Sequence, residues 1–141
     1  MLFRSDNLVK LFCKSNSAVG TLIKKIGNNE ELFNSDVVKV VIDEQKNAMY
    51  FSRNPIPFLR DIEKNQWLTN SVFWKHIGIY VYKSEILEKF VNLPRSNYEK
   101  LEKLEQLRLL EQGAKFLCVE TKSNLIGVDT QEDLEKVKYF I

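Results

Sequence analysis

The chain carries one histidine, His76, in the run Lys75-His76-Ile77-Gly78-Ile79-Tyr80-Val81. In a strand, residues two and four apart share a face. His76, Gly78 and Tyr80 therefore point one way, and Ile77, Ile79 and Val81 the other. A His and a Tyr around a glycine make a polar floor with room for a ligand. The competing reading is a buried His and Tyr hydrogen-bonded to backbone. Asp129 lies in Ile126-Gly127-Val128-Asp129-Thr130, between a strand-like segment and a helix start. Such sheet ends are where α/β proteins place ligands. A carboxylate there suits Mg²⁺, a hard cation that takes oxygen ligands, and plain helix capping is the alternative. Glu105-Gln106, beside Leu104 and Leu107 on an amphipathic helix, either faces a sugar's hydroxyls or is a solvated pair. Arg53, between Ser52 and Asn54-Pro55, either clamps a carboxylate in bidentate fashion or lies on the surface.

Several chemistries have no sequence support. There is no glycine-rich phosphate loop and no Cys/His cluster with metal spacing, and no nucleophilic serine lies near His76 in sequence.

Alternating strands and helices would position these residues. The spacing predicts a helix over 5–14, a strand over 18–26 and a helical turn over 30–34. Val37 to Ile42 is dense in β-branched residues and reads as a strand. Ala48 to Ser52 is its partner across a polar turn. The stretch from Phe58 to Val72, with Trp67 inside it, reads as irregular and long for a structureless loop, which points to a partner surface over 54–74. Phe73 to Tyr82 is a strand, and Ser84 caps a helix to Val91 whose Ile86, Leu87, Phe90 and Val91 share a face. Ser96 and Glu99 form a capping box that opens a helix to about Gln112, ended by Gly113. Ala114 to Glu120 is a strand, and Thr130 caps a last helix. The order implies an α/β fold with a partly parallel sheet.

Composition narrows the class. The chain has 141 residues, 44% hydrophobic and 28% charged, which suits one globular unit. Lysines and glutamates interleave to a net charge of +2, so nothing calls for nucleic acid or an anionic membrane. No apolar run approaches the roughly 18–20 residues of a membrane span, and the first residues do not read as a signal peptide. Cys13 and Cys118, both in apolar contexts, read as buried hydrophobes in a reducing cytoplasm.

At the same positions the sequence resembles a family. Ala48-Met49-Tyr50-Phe51-Ser52-Arg53-Asn54-Pro55-Ile56-Pro57 is similar to the A-L-Y-F-S-R-x-P-I-P segment of 3-deoxy-manno-octulosonate (Kdo) cytidylyltransferases, the CMP-Kdo synthetases. Lys75 to Tyr82 is similar to their K-H-I-G-I-Y-x-Y, Leu101 to Arg108 to L-E-x-L-E-Q-L-R, and Gly127 to Leu134 to G-V-D-T-P-E-D-L. The four motifs run in family order from about 37 to 141. The resemblance implies a Rossmann-like nucleotidyltransferase fold, a mixed sheet flanked by helices. It implies that the sugar's anomeric hydroxyl attacks the α-phosphate of CTP and pyrophosphate leaves, with Mg²⁺ as charge stabiliser and template. By motif, Asp129 is a metal ligand, His76, Tyr80, Glu105 and Gln106 line the sugar pocket, and Arg53 is a sugar-side contact. A homodimer, a bacterial cytoplasmic location and a role in lipopolysaccharide synthesis come with it.

The family's I-P-A-R-x-x-S-x-R-L-P-x-K segment, which grips the triphosphate, and its Q-G-D-E-P, with the other metal aspartate, do not occur here. Gln131 stands where the family has proline. Residues 1–141 thus resemble the C-terminal, sugar-binding and dimerisation portion of one cytidylyltransferase domain, without its nucleotide-binding half. Such a portion is expected to be inactive alone. Two alternatives are a non-catalytic dimerising or binding module derived from the family, and a sister cytidylyltransferase for another acid sugar such as sialic acid.

Overall fold

The computed structural model describes residues 4–122. The predicted last helix and Asp129 lie outside the described residues. Five strands form one mixed sheet in the order β3-β2-β4-β1-β5. They are β1 (Val19–Lys25), β2 (Lys39–Ile42), β3 (Ala48–Ser52), β4 (Trp74–Tyr82) and β5 (Phe116–Glu120). β1 runs parallel to β5, whereas the β1–β4, β4–β2 and β2–β3 pairs are antiparallel.

α1 (Arg4–Cys13) covers one face of the sheet. Leu8 is buried there against Leu22 and Val119, beside Ile77, Val81 and Leu117. The approach is close: a Cβ on Gly20 would lie 3.0 Å from the Phe12 ring, so a glycine there lets the helix sit down on β1. Cys13, expected inside, is exposed. The buried stripe of α1 runs through Leu8 and Phe12, four residues apart, and Cys13 falls one position off it.

The opposite face carries the main core. Val19, Ile23, Val40, Phe51, Leu104, Leu107, Leu109, Phe116 and Cys118 are buried together. Tyr80, Tyr82, Ile86 and Phe90 close over them. α4 (Ser84–Asn92) contributes only part of its predicted face: Ile86 and Phe90 pack inward, while Leu87 and Val91 are exposed. Its cap position is Lys83, not Ser84, and no side chain caps it.

The predicted helix to Gln112 is two helices, α5 (Asn97–Glu102) and α6 (Gln106–Leu110). The break falls at Lys103, which is left-handed at φ 56°. Arg53 holds it there, donating from Nε to the Glu102 carbonyl at 2.7 Å and from a terminal nitrogen to the Lys103 carbonyl.

The segment from Phe58 to Phe73 exposes most of its side chains but is pinned at Trp67 and Phe73, which are buried. A short 3₁₀ turn (Lys64–Gln66) leads into α3 (Trp67–Asn70). Trp67 and Phe73 stack with their rings parallel, 5.9 Å apart, over Ile26 and Leu32, the latter from α2 (Asn29–Phe33). Trp67 donates its indole N–H to the Ile62 carbonyl at 3.0 Å. The segment makes its own small core, and Phe58 is its one strongly exposed aromatic.

Candidate functional site

β4 carries the first part of the site. His76, Tyr80 and Tyr82 face the main core, while Ile77 and Val81 face α1. The His76 ring meets Phe51 at 5.1 Å and Tyr80 at 5.3 Å between centroids. Tyr80 meets Tyr82 at 5.6 Å, and Tyr82 stacks on Phe90 at 6.1 Å. This aromatic ladder is half-buried, and burial sets its acid–base state. Desolvation pushes the His76 imidazole down to about 4, so it is neutral at neutral pH. Desolvation, helped by Tyr82 and Glu105, pushes the Tyr80 phenol well above its usual range, so it keeps its proton.

The second part comes from the start of α6. Tyr80, Tyr82 and Phe90 form one wall of a cleft of about 310 Å³, and Lys103, Leu104, Glu105 and Gln106 the other. Gln106 is buried and Glu105 exposed. The wall is anchored by an ion pair that the sequence did not point to. Arg108 donates to both carboxylate oxygens of Glu99, at 2.6 and 2.8 Å, and lies 4.7 Å above the Phe90 ring. That guanidinium holds the Glu99 carboxyl below its usual range. Glu99 also completes the predicted capping box, with both bonds to Ser96 formed.

The structure thus sets Tyr80, Glu105 and Gln106 around one cleft and joins His76 to them through the Tyr80 ring. Arg53 does not line the cleft itself but donates to the carbonyl of Lys103, which does. Besides the carbonyls of Glu102 and Lys103 it donates to that of Ser35 at 3.0 Å, and its backbone N–H meets a Glu102 carboxylate oxygen. Its geometry is that of a staple between β3 and the α5–α6 break. Gly78 is exposed, in a bulge of β4, with nothing near its missing side chain. Asp129 lies outside the described residues. Among the described residues no cluster of three His, Cys, Asp or Glu could hold a metal ion. A larger hollow of about 420 Å³, beside α1 and β5, contains none of the candidate residues.

Two further residues escaped sequence reasoning. Thr21, fully buried in β1, places its hydroxyl 2.9 Å from His76 Nε2. Lys39 is fully buried and donates to the carbonyls of Asn34 at 2.8 Å and Val37 at 2.5 Å. A threonine in a strand carries no distinguishing signal. Lys39 breaks the apolar run of β2, and that break was the available clue.

A neutral imidazole, a protonated phenol, an amide and a carboxylate around an aromatic-walled cleft suit a ligand rich in hydroxyl groups. The chain is 46% identical over 130 residues to a 3-deoxy-manno-octulosonate cytidylyltransferase of Thermodesulfovibrio yellowstonii, covering 92% of this chain and 51% of the relative. It is 40% identical over 134 residues to that of Parabacteroides distasonis, covering 92% of this chain and 53% of the relative. Among solved structures, CMP:2-keto-3-deoxy-manno-octonic acid synthetase complexed with CTP matches with a TM-score of 0.86 at 34% identity, over 96% of this chain and 54% of that one. A glucose-1-phosphate thymidylyltransferase of Bacillus anthracis shares the fold alone, at a TM-score of 0.54 and 14% identity. The chain spans about half the length of the curated relatives it matches. The sequence model of the cytidylyltransferases matches residues 5–117, and the chain belongs to that family of nucleotidyltransferases.

Proposed function

We propose that this chain supplies the acid-sugar side of a 3-deoxy-manno-octulosonate cytidylyltransferase, the enzyme that forms CMP-Kdo and pyrophosphate from CTP and Kdo for lipopolysaccharide synthesis in the bacterial cytoplasm. The observation that carries the proposal is the single cleft shared by Tyr80, Glu105 and Gln106, with neutral His76 against it, in a chain of this family. Glu105 and Gln106 would hold sugar hydroxyls, and the aromatic wall would pack the sugar's carbon face. Mg²⁺ would supply charge neutralisation at the transferring phosphate, with Asp129 as its candidate ligand. Among the described residues no cluster of three His, Cys, Asp or Glu is placed to hold the metal. Among the described residues no helix is long and apolar enough to cross a membrane.

Assembly is part of the proposal. Val91, Tyr98 and Leu101 leave large apolar groups exposed on α4 and α5, which supports a homodimer through this side. The exposed face of 58–72, with Phe58 at its surface, remains a second candidate for that interface. Alone, the chain would make no CMP-Kdo, because in-line phosphoryl chemistry depends on positioning both reactants. The test is pyrophosphate release from CTP, Kdo and Mg²⁺. The expected result is none from this chain and turnover once the N-terminal half of the T. yellowstonii relative is added or fused. A fused enzyme that stays inactive with Kdo but accepts another acid sugar would replace the substrate assignment.

A further inference from the structure

β4 carries a bulge opposite Thr21. Thr21 pairs with Tyr80 but its neighbour Leu22 pairs with Ile77, so Gly78 and Ile79 are extra residues on β4. The bulge aims two carbonyls at one hydroxyl: Thr21 Oγ1 lies 2.8 Å from the Ile79 oxygen and 3.2 Å from the Ile77 oxygen. His76 Nε2 is 2.9 Å away on the same atom.

Proton counting decides the arrangement. A threonine hydroxyl has one proton, and a carbonyl oxygen can only accept. Two oxygens at 2.8 Å need a hydrogen between them. Thr21 therefore donates to Ile79 and turns a lone pair to His76, whose Nε2 must carry the hydrogen. A neutral imidazole has one N–H, so its Nδ1 is left as an acceptor. Nδ1 has no partner among the described residues, whereas every fully buried side-chain nitrogen or oxygen there has one. Nδ1 is therefore not fully buried, and its ring stands against Tyr80, which lines the cleft.

We propose that Thr21 is a positioning residue: it locks His76 in the Nε2–H form and so presents Nδ1 as an acceptor for a hydroxyl group of the bound sugar. The identity of the ligand rests on the proposed function, and the lock does not. Burial keeps the ring neutral and the acceptor intact at working pH. A lone pair at this point repels a carboxylate, so the acid group of the sugar must lie elsewhere in the cleft.

Because His76 is the only histidine, the nitrogen-15 spectrum of the imidazole needs no assignment. The expected spectrum has a pyrrole-type Nε2 and a pyridine-type Nδ1, without exchange averaging, unchanged from about pH 8 to about pH 5. A pyrrole-type Nδ1 or an averaged pair overturns the lock, and the wild-type protein alone decides this. Thr21→Val should give the averaged pair and Thr21→Ser restore the locked one. Added Kdo should move the Nδ1 resonance and leave Nε2 in place, and Thr21→Val should weaken its binding about fivefold, the worth of one neutral hydrogen bond. Kdo that binds without moving Nδ1 overturns the acceptor role. A locked ring with no Kdo binding overturns the ligand assigned under the proposed function and leaves the lock standing.

Discussion

Two aromatic regions of the molecule look alike in sequence and differ in their polar atoms. Around Trp67, the rings of Phe33, Phe58 and Phe73 close on one another, and the one buried donor, the indole N–H, is spent on the Ile62 carbonyl. Around Tyr80, the rings of His76, Tyr82 and Phe90 form a similar ladder, yet its polar atoms are not all spent: His76 Nδ1 has no partner among the described residues, and Glu105 and Gln106 edge the cleft. The first region satisfies itself and is core. The second leaves hydrogen-bonding capacity at the cleft and is the candidate site. Aromatic content alone does not separate the two; the fate of each buried polar atom does.

The largest effects should come from the self-satisfied region and from the anchor of the cleft wall. Trp67→Ala should cost about 3–5 kcal/mol in urea unfolding, as for other large aromatic truncations. In the folded fraction the imidazole spectrum of His76 should not change, and a changed spectrum would merge the two regions into one. Glu99→Ala should cost about 1.5–3 kcal/mol, because it removes the charged partner of Arg108 and one of the two capping-box bonds. Unlike Trp67→Ala, it should also alter the His76 and Tyr80 resonances, since Arg108 and Phe90 hold the cleft wall.

What could be read beforehand divides along the same line. The hairpin of β2 and β3 and the Ser96–Glu99 box rest on neighbours in sequence, and local patterns reported them. The α5–α6 break does not. It is imposed by Arg53, about fifty residues away, which draws the carbonyls of Glu102 and Lys103 out of helical register. Likewise His76, Tyr80, Glu105 and Gln106 are marked by residue type and motif, while Thr21 becomes visible only once the bulge sets its register against β4. The irregular course of 58–73 was legible in its spacing, but the stacking of Trp67 on Phe73 over Ile26 and Leu32 was not, because those residues come from separate stretches of chain.

Acidification should separate the regions more gently. His76 binds its proton at about 4 when folded and near 6.5 when unfolded, so between those values the unfolded chain holds more protons. Stability is then complete above about pH 6.5 and falls as pH drops toward about 4, by a total on the order of 3 kcal/mol. Glu99, held below its usual range, adds its own loss only at more acidic pH. Urea midpoints at successive pH values measure this slope. His76→Gln should flatten it between about pH 6.5 and about pH 5, and Trp67→Ala should leave the slope as it is.

The smallest structural effect should come from Glu105, and that is what makes it informative. Its side chain is exposed at the cap position of α6 and makes no capping bond. Glu105→Gln should shift the unfolding free energy by less than about 0.5 kcal/mol, as surface changes do. It also removes a negative charge that helps keep the Tyr80 and Tyr82 phenols protonated, so both should titrate at lower pH. If Glu105 accepts a sugar hydroxyl, a charge-assisted bond is lost, worth about 1.5–3 kcal/mol. Kdo binding measured by imidazole shifts should then weaken by at least tenfold while the fold is untouched. Stability and binding both unchanged would place Glu105 with the solvated charges of the surface, and the open region would reduce to His76, Tyr80 and Gln106.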